Sequence, residues 1–174
     1  MQNVPTIKDQ IKTHQETAEA LYALIPAIET IANRLIEAVA QNKTLFWCGN
    51  GGSAADAQHL AAELVGRFQK DRRAIRSIAL TTDTSIMTAV SNDYGFDTLF
   101  KRQLEALSQP GDVLMALSTS GDSDNVNTAV IFANENEVDT IALTGKDGGQ
   151  LNAYLTFLSL SPQRQRLAFK RCIF

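Results

Sequence analysis

The chain has 174 residues, of which 44% are hydrophobic and 20% are charged. This length and composition predict one compact domain with a substantial core. The net charge of −3 excludes the overall basic field that accompanies non-specific binding to nucleic acid. No apolar run approaches the roughly 20 residues of a membrane span, and the first residues lack the pattern of a signal peptide. We therefore expect a soluble, cytoplasmic protein that binds neither nucleic acid nor membrane.

About the first 42 residues are predicted to form helices that precede the rest of the domain. Pro26 removes a backbone donor and interrupts the apolar pattern, so we expect two helices, the second starting near that residue. The apolar positions of this segment recur at near-helical spacing and are Leu21, Leu24, Ile25, Ile28, Ile31, Leu35 and Val39. This apolar surface serves either to pack against another subunit or to cover the chain's own core.

From residue 43 to about residue 155, short apolar runs alternate with helical segments. Four runs are predicted to be parallel strands, at residues 44–48, 75–80, 112–117 and 139–143. Alternation of this kind is typical of an α/β fold, a three-layer α/β/α sandwich in which helices cover both faces of a central parallel sheet. Cys48, in the first run, is predicted to be a buried strand residue. Ligands bind such sheets beyond the carboxyl ends of the strands, so the loops there form the candidate site.

The loop after the third strand carries the strongest signal. Four of its side chains are hydroxyls, those of Ser118, Thr119, Ser120 and Ser123. Gly121 permits close approach of the backbone, and a helix predicted to begin near Asp124 would add unpaired amides, a combination that suits a phosphate. The alternative is a cap that satisfies only its own helix. Asp122 and Asp124 disfavour an anion unless their carboxylates point away.

The first strand is followed by a glycine-rich loop at residues 49–53. Its pattern formally matches a dinucleotide-binding fingerprint, but the acidic residue that the fingerprint requires at the end of the second strand is missing. The alternative is a tight turn in which backbone amides and the side chain of Asn50 bind a polyhydroxylated ligand.

His59 and Glu63 are predicted to share one face of the helix that follows this loop, because they are four residues apart. An imidazole beside a carboxylate can hold part of a metal site or supply acid/base catalysis. The alternative is a pair packed at a helix or subunit interface.

A short helix is predicted after the second strand and should end before Ser91. The next residues, Asn92 and Asp93, either bind sugar hydroxyls or form an ordinary turn. The loop after the fourth strand, at residues 144–149, is polar and glycine-rich but has too little pattern to assign.

Taken in order, five motifs resemble the SIS (sugar isomerase) domain family and, within it, the phosphoheptose isomerases. They are residues 48–53, the helix through His59 and Glu63, and residues 92–96, 118–121 and 143–149. The resemblance implies a flavodoxin-like α/β/α fold and a homotetramer with active sites between subunits. It also implies conversion of sedoheptulose 7-phosphate to D-glycero-D-manno-heptose 7-phosphate, a step of lipopolysaccharide heptose biosynthesis.

The same resemblance implies roles for individual residues. Substrate contacts would come from Asn50, Gly51, Gly52, Glu63, Asn92 and Asp93, and phosphate contacts from Ser118, Thr119, Ser120 and Ser123. His59 and Glu63 would ligate zinc, and Glu63 would also serve as a catalytic group in proton transfer.

The resemblance ends at about Leu155. Residues 156–174 do not match the strand and long helix of the family, whose Gln and His side chains complete the zinc site. No His follows His59, and the context of Gln163 and Gln165 does not match the family motif. We therefore expect an incomplete sheet, weak zinc binding and impaired activity, as a frameshift, an aberrant truncation or a natural variant would produce. Two further functions stay open: a non-catalytic SIS protein that acts by protein interaction, such as a replication-initiator-associating protein, and a sugar-phosphate-sensing regulatory domain.

Overall fold

The computed structural model describes residues 6–145 and 147–155, together with the backbone of residues 157–161. No helix within these ranges is both long and apolar enough to cross a membrane. The described part begins with two helices, α1 (Ile7–Ala20) and α2 (Ile25–Ala40), joined by a 3-10 turn at Leu21–Leu24. Pro26 lies in the first turn of α2, where its missing N–H costs no hydrogen bond. The predicted pair of helices with a break next to Pro26 is confirmed.

A five-stranded parallel sheet forms the centre of the domain, with the strand order β2-β1-β3-β4-β5. The strands are β1 (Leu45–Gly49), β2 (Ser77–Ala79), β3 (Val113–Ser118), β4 (Asp139–Gly145) and β5 (Phe157–Ser161). The helices between them are α3 (Gly52–Val65), α4 (Thr84–Asp93), α5 (Leu99–Leu107) and α6 (Asp124–Glu135). Two 3-10 turns, Phe96–Thr98 and Gly149–Tyr154, complete the connections. The predicted α/β/α sandwich and its first four parallel strands are confirmed.

The fifth strand corrects one expectation. The residues after Leu155 depart from the family pattern, which led to the expectation of a sheet without its last strand. Phe157–Ser161 nevertheless pairs in parallel with β4, from Ile141 to Gly145. A short run rich in Phe and Leu has strand propensity whether or not a family motif surrounds it. The sheet therefore extends to Ser161, and residues 162–174 lie outside the described residues.

Two hydrophobic clusters lie on opposite faces of the sheet, because successive side chains of a strand point in opposite directions. On one face, Phe46 and Leu114 pack with residues of α4, α5 and α6. On the other face, Trp47 and Met115 pack with residues of α2 and α3. Trp47 Nε1 donates a hydrogen bond to Ser77 Oγ at 2.8 Å, which satisfies the polar atom of this buried ring.

The strand order reverses between β1 and β3, so the chain leaves these two neighbouring strands toward opposite faces of the sheet. This divergence opens a crevice at the carboxyl ends of β1 and β3, which is the usual ligand-binding position in sheets of this kind. α3 starts on one side of the crevice at Gly52, and α6 starts on the other side at Asp124.

Candidate functional site

The loop at residues 118–123, termed the hydroxyl loop, begins at the carboxyl end of β3. Ser118 is the last residue of that strand and is only 4% exposed. Its Oγ accepts a hydrogen bond from the amide of Gly121 at 3.1 Å and donates to Ser123 Oγ at 3.5 Å. The hydroxyl group of Ser118 therefore closes the loop into a tight turn.

α6 begins directly after this loop, with Ser123 as its N-cap residue. The side chain of Ser123 makes no capping hydrogen bond to the helix, while its backbone carbonyl accepts from the amides of Val126 and Asn127. The alternative to phosphate binding, a cap that serves only its own helix, does not apply to this side chain. The Ser123 hydroxyl and the first amides of α6 can bind an anion, which the helix dipole also favours.

The remaining predicted phosphate ligands differ in accessibility. Thr119 is half-buried and Ser120 is exposed. Ser120 Oγ accepts a hydrogen bond from the amide of Asp122 at 3.2 Å. The carboxylate of Asp122 in turn accepts from the amide of Gln150 at 3.1 Å. This carboxylate is therefore anchored to the segment after β4, outside the turn that the hydroxyl loop forms.

The glycine-rich loop at residues 49–53, termed the glycine loop, lies beside the hydroxyl loop because Gly49 pairs with Leu117 in the sheet. Asn50 Nδ2 donates to Asn125 Oδ1 at 2.8 Å, and Asn125 Nδ2 donates to Asn50 Oδ1 at 2.9 Å. This pair joins the glycine loop to the first turn of α6. The predicted site includes Asn50 but omits Asn125. Asn125 could have been included from the sequence, because it is a polar residue in the first turn of the helix that follows a candidate loop.

His59 and Glu63 lie on α3, with Nε2 and Oε1 3.6 Å apart, so the predicted shared helix face is confirmed. Glu63 follows Gly52, the first residue of α3, by 11 positions, or about 16 Å at 1.5 Å per residue. The carbonyl of the next residue, Leu64, accepts a hydrogen bond from the amide of Ile75, just before β2 begins. This end of α3 is therefore near the amino edge of the sheet, and a single chain does not bring Glu63 next to the hydroxyl loop.

The donor atoms of His59 and Glu63 are of the kind that zinc takes, an imidazole nitrogen and a carboxylate oxygen. Within the ranges that the structure describes, no group of three or more His, Cys, Asp or Glu side chains is arranged to hold a metal ion. The pair thus supplies two donors of a shell that needs four. Further donors would have to come from another copy of the chain or from residues outside those ranges.

Asn92 and Asp93 form the last turn of α4, so the prediction that this helix ends before Ser91 is wrong. The helical hydrogen bonds continue past Ser91, since the amide of the C-cap residue Tyr94 still donates to the carbonyl of Val90 at 2.9 Å. Asn92 Nδ2 donates to Asp93 Oδ1 at 2.7 Å, and both residues are exposed. In the described part of the chain, no hydrogen bond links either side chain to the hydroxyl loop or the glycine loop.

Known proteins match this chain over most of its length. The family described as SIS domain matches residues 9–145. A phosphoheptose isomerase of Geotalea daltonii is 52% identical over 149 residues, which cover 85% of this chain and 78% of the relative. One of Bordetella avium is 54% identical over 138 residues, 79% of this chain and 70% of the relative.

A solved structure gives the same assignment. The phosphoheptose isomerase of Neisseria gonorrhoeae superposes with a TM-score of 0.83 at 39% sequence identity, covering 97% of this chain and 92% of that chain. This structural match and the SIS-domain match over residues 9–145 point to the same family. The chain therefore belongs to the SIS domain family and, within it, to the phosphoheptose isomerases.

Proposed function

We propose that this chain converts sedoheptulose 7-phosphate to D-glycero-D-manno-heptose 7-phosphate in lipopolysaccharide heptose biosynthesis. It is an isomerase that acts on a sugar phosphate, as its family implies. The observation that carries the proposal is the hydroxyl loop at the point where the strand order reverses, next to the start of α6, where the side chain of the N-cap residue Ser123 makes no capping hydrogen bond. Hydroxyl groups and helix amides together supply the donors that a terminal phosphate needs.

We assign substrate binding to two sets of residues. The phosphate would be bound by Ser118, Thr119, Ser120, Ser123 and the first amides of α6. The sugar would be bound by Asn50, Gly51, Gly52, Asn92 and Asp93. The closed turn of the hydroxyl loop supports the first set, and the position of the glycine loop beside it supports Asn50, Gly51 and Gly52. The assignment of Asn92 and Asp93 rests on the family resemblance.

The proposed reaction moves a proton between C1 and C2 of the sugar. A base removes a proton from C1 of the ketose while O2 takes up a proton, which gives an enediol. A proton then adds to C2 while O1 loses its proton, which leaves the carbonyl group at C1. We assign the base to Glu63, whose side chain is 25% exposed and lies beside the imidazole of His59. Zinc held by His59 and Glu63 would polarise the sugar carbonyl. Because two donors do not complete a zinc shell, we assign no step to the metal.

A second copy of the chain would complete this site, since α3 carries Glu63 away from the hydroxyl loop of its own chain. Large apolar side chains are exposed on the two N-terminal helices and the turn between them, namely Ile7, Ile11, Tyr22, Ile25 and Ile36. Burial of such a surface between copies would stabilise an oligomer. These features support a homotetramer with shared active sites, and we propose that it works in the cytoplasm.

An assay of sedoheptulose 7-phosphate isomerisation, with and without added zinc, tests the proposal. Glu63→Gln should abolish turnover but keep substrate binding, because an amide cannot take up the proton. Glu105→Gln is the matched control on α5, where the carboxylate pairs with Lys101 and Arg102, and it should leave turnover unchanged. Failure of the wild-type chain to bind the sugar phosphate in a thermal-shift measurement would contradict the proposal.

A non-catalytic role in protein interaction is the second candidate. The observation that favours it is that, among the described residues, no third His, Cys, Asp or Glu side chain is grouped with His59 and Glu63 to hold a metal ion. This role predicts sugar-phosphate binding without turnover at any zinc concentration, together with capture of the replication initiator in a pull-down. Turnover by the wild-type chain would exclude it.

A further inference from the structure

The hydroxyl loop is held against the segment that follows β4, residues 147–151, termed the post-β4 segment. The amide of Leu151 donates to the carbonyl of Gly121 at 2.9 Å. The amide of Gly145, at the end of β4, donates to the carbonyl of Thr119 at 3.2 Å. Gly121 has a φ of +75°, and a Cβ there would lie 1.8 Å from the carbonyl oxygen of Gly148. The two segments therefore interlock, and only glycine fits at position 121.

Asp122 supplies a side-chain hydrogen bond between these two segments. Its carboxylate accepts from the amide of Gln150 at 3.1 Å, while its own amide donates to Ser120 Oγ at 3.2 Å. Asp122 is thus bonded on one side to a proposed phosphate ligand and on the other to the post-β4 segment. Loss of its side-chain acceptor would remove one of the bonds that order the hydroxyl loop.

The carboxylate of Asp122 also places a negative charge beside the turn that is proposed to bind an anion. Residues 118–125 contain no Lys or Arg, so no cation within this stretch offsets the charge. Like charges several Å apart near a protein surface repel each other, and dissolved salt screens that repulsion. The hydrogen bond of Asp122 therefore favours phosphate binding by ordering the loop, whereas its charge opposes it.

We propose that Asp122 is a positioning residue that sets the phosphate affinity of this site. Its hydrogen bond to Gln150 orders the hydroxyl loop, and its charge limits how tightly the phosphate is held. This inference rests on the proposed function, since it requires that the hydroxyl loop bind the phosphate. It predicts altered Kd and KM with kcat retained, because the phosphate is not one of the reacting groups.

Two neutral variants separate the effects of bond and charge. Asp122→Asn keeps an oxygen acceptor for the Gln150 amide and removes the charge, whereas Asp122→Ala removes both. In calorimetric titrations with inorganic phosphate at low salt, Asp122→Asn should bind about two- to tenfold more tightly than the wild type. Asp122→Ala should bind about threefold more weakly than Asp122→Asn, as loss of one hydrogen bond implies. Added NaCl should reduce the difference in affinity between Asp122→Asn and the wild type. It should leave the difference between Asp122→Ala and Asp122→Asn unchanged.

Asp124 provides the matched control. It carries the same charge two positions further on and makes no side-chain hydrogen bond within the described residues, so Asp124→Asn and Asp124→Ala should bind phosphate equally. Equal affinities for Asp122→Asn and Asp122→Ala would overturn this inference but not the proposed function. So would an Asp122→Asn affinity no higher than that of the wild type at low salt. Absence of phosphate binding by every folded form, the wild type included, would overturn the proposed function as well.

Discussion

The side-chain amides of Asn50 and Asn125 exchange two hydrogen bonds, 2.8 and 2.9 Å long, across the crevice of the sheet. The two residues are 75 positions apart in the chain, and Asn125 is only 2% exposed. Each amide commits one donor and the oxygen acceptor to its partner. The pair therefore holds the glycine loop against the start of α6, next to the proposed phosphate ligands.

Replacing Asn125 should loosen both loops. Asn125→Ala leaves the amide of Asn50 unpaired in a partly buried position, which should lower the free energy of unfolding by about 1–3 kcal/mol. Urea denaturation measures this loss, and the KM for the sugar phosphate should rise with it. Asn136→Ala, at the end of α6, removes only a bond to the carbonyl of Phe132 and should leave KM unchanged. Wild-type stability and KM in Asn125→Ala would show that the pair does not order the loops.

A side chain at position 121 should disrupt the hydroxyl loop. Gly121→Ala combines a positive φ with a clash against the carbonyl of Gly148, so the loss of stability should exceed the roughly 1–2 kcal/mol that a left-handed conformation alone costs. Gly51→Ala is the comparison, because Gly51 has a φ of +56° but a Cβ there meets nothing within 4 Å. Thermal unfolding should rank Gly51→Ala between the wild type and Gly121→Ala. Equal losses would contradict the interlocking of the two segments.

Arg72 should stabilise the end of α3 that carries Glu63. Its guanidinium donates to the carbonyl oxygens of Glu63 at 2.8 Å and Leu64 at 2.9 Å. Carbonyl groups in the last turn of a helix have no partner within the helix and interact favourably with a cation. Arg72→Ala should therefore lower the free energy of unfolding by about 1–2 kcal/mol. It should also lower kcat, because the turn that holds the proposed base loosens.

Arg73 is the matched control for Arg72. Its guanidinium donates to the carbonyl of Val39, near the end of α2, so Arg73→Ala removes the same charge without touching α3. Urea denaturation and initial-rate measurements on both variants separate the two effects, with kcat retained in Arg73→Ala. Equal losses of kcat would mean that net charge, and not the end of α3, is responsible.

Cys48 should resist thiol reagents while the chain is folded. Its side chain is fully buried in β1, as the sequence predicts. Burial raises the pKa of its thiol to about 12, so almost no reactive thiolate exists at pH 8. Treatment with iodoacetamide, followed by mass spectrometry of the peptide that contains Cys48, should show modification in urea and none in buffer. Rapid labelling of the native chain below pH 9 would contradict the burial.

The sheet could be predicted because strand and helix periods are local properties of a sequence. β1 and β3 each lie one residue from their predicted bounds, and β4 begins at its predicted residue. The end of α4 was predicted too early because Asn92 and Asp93 are residue types that favour turns, whereas helical bonding continues to the amide of Tyr94. β5 was missed because the expectation followed a family motif instead of the local run of apolar residues.

By itself, the sequence determined the fold class, the hydroxyl groups of residues 118–123 and the shared helix face of His59 and Glu63. Each of these depends on residues close together in the chain. Only the tertiary structure decided that Asn125 pairs with Asn50 and that Asp122 bonds to Gln150, across separations of 75 and 28 positions. Such contacts depend on how helices and loops pack around the sheet, and no local pattern of residues specifies that packing.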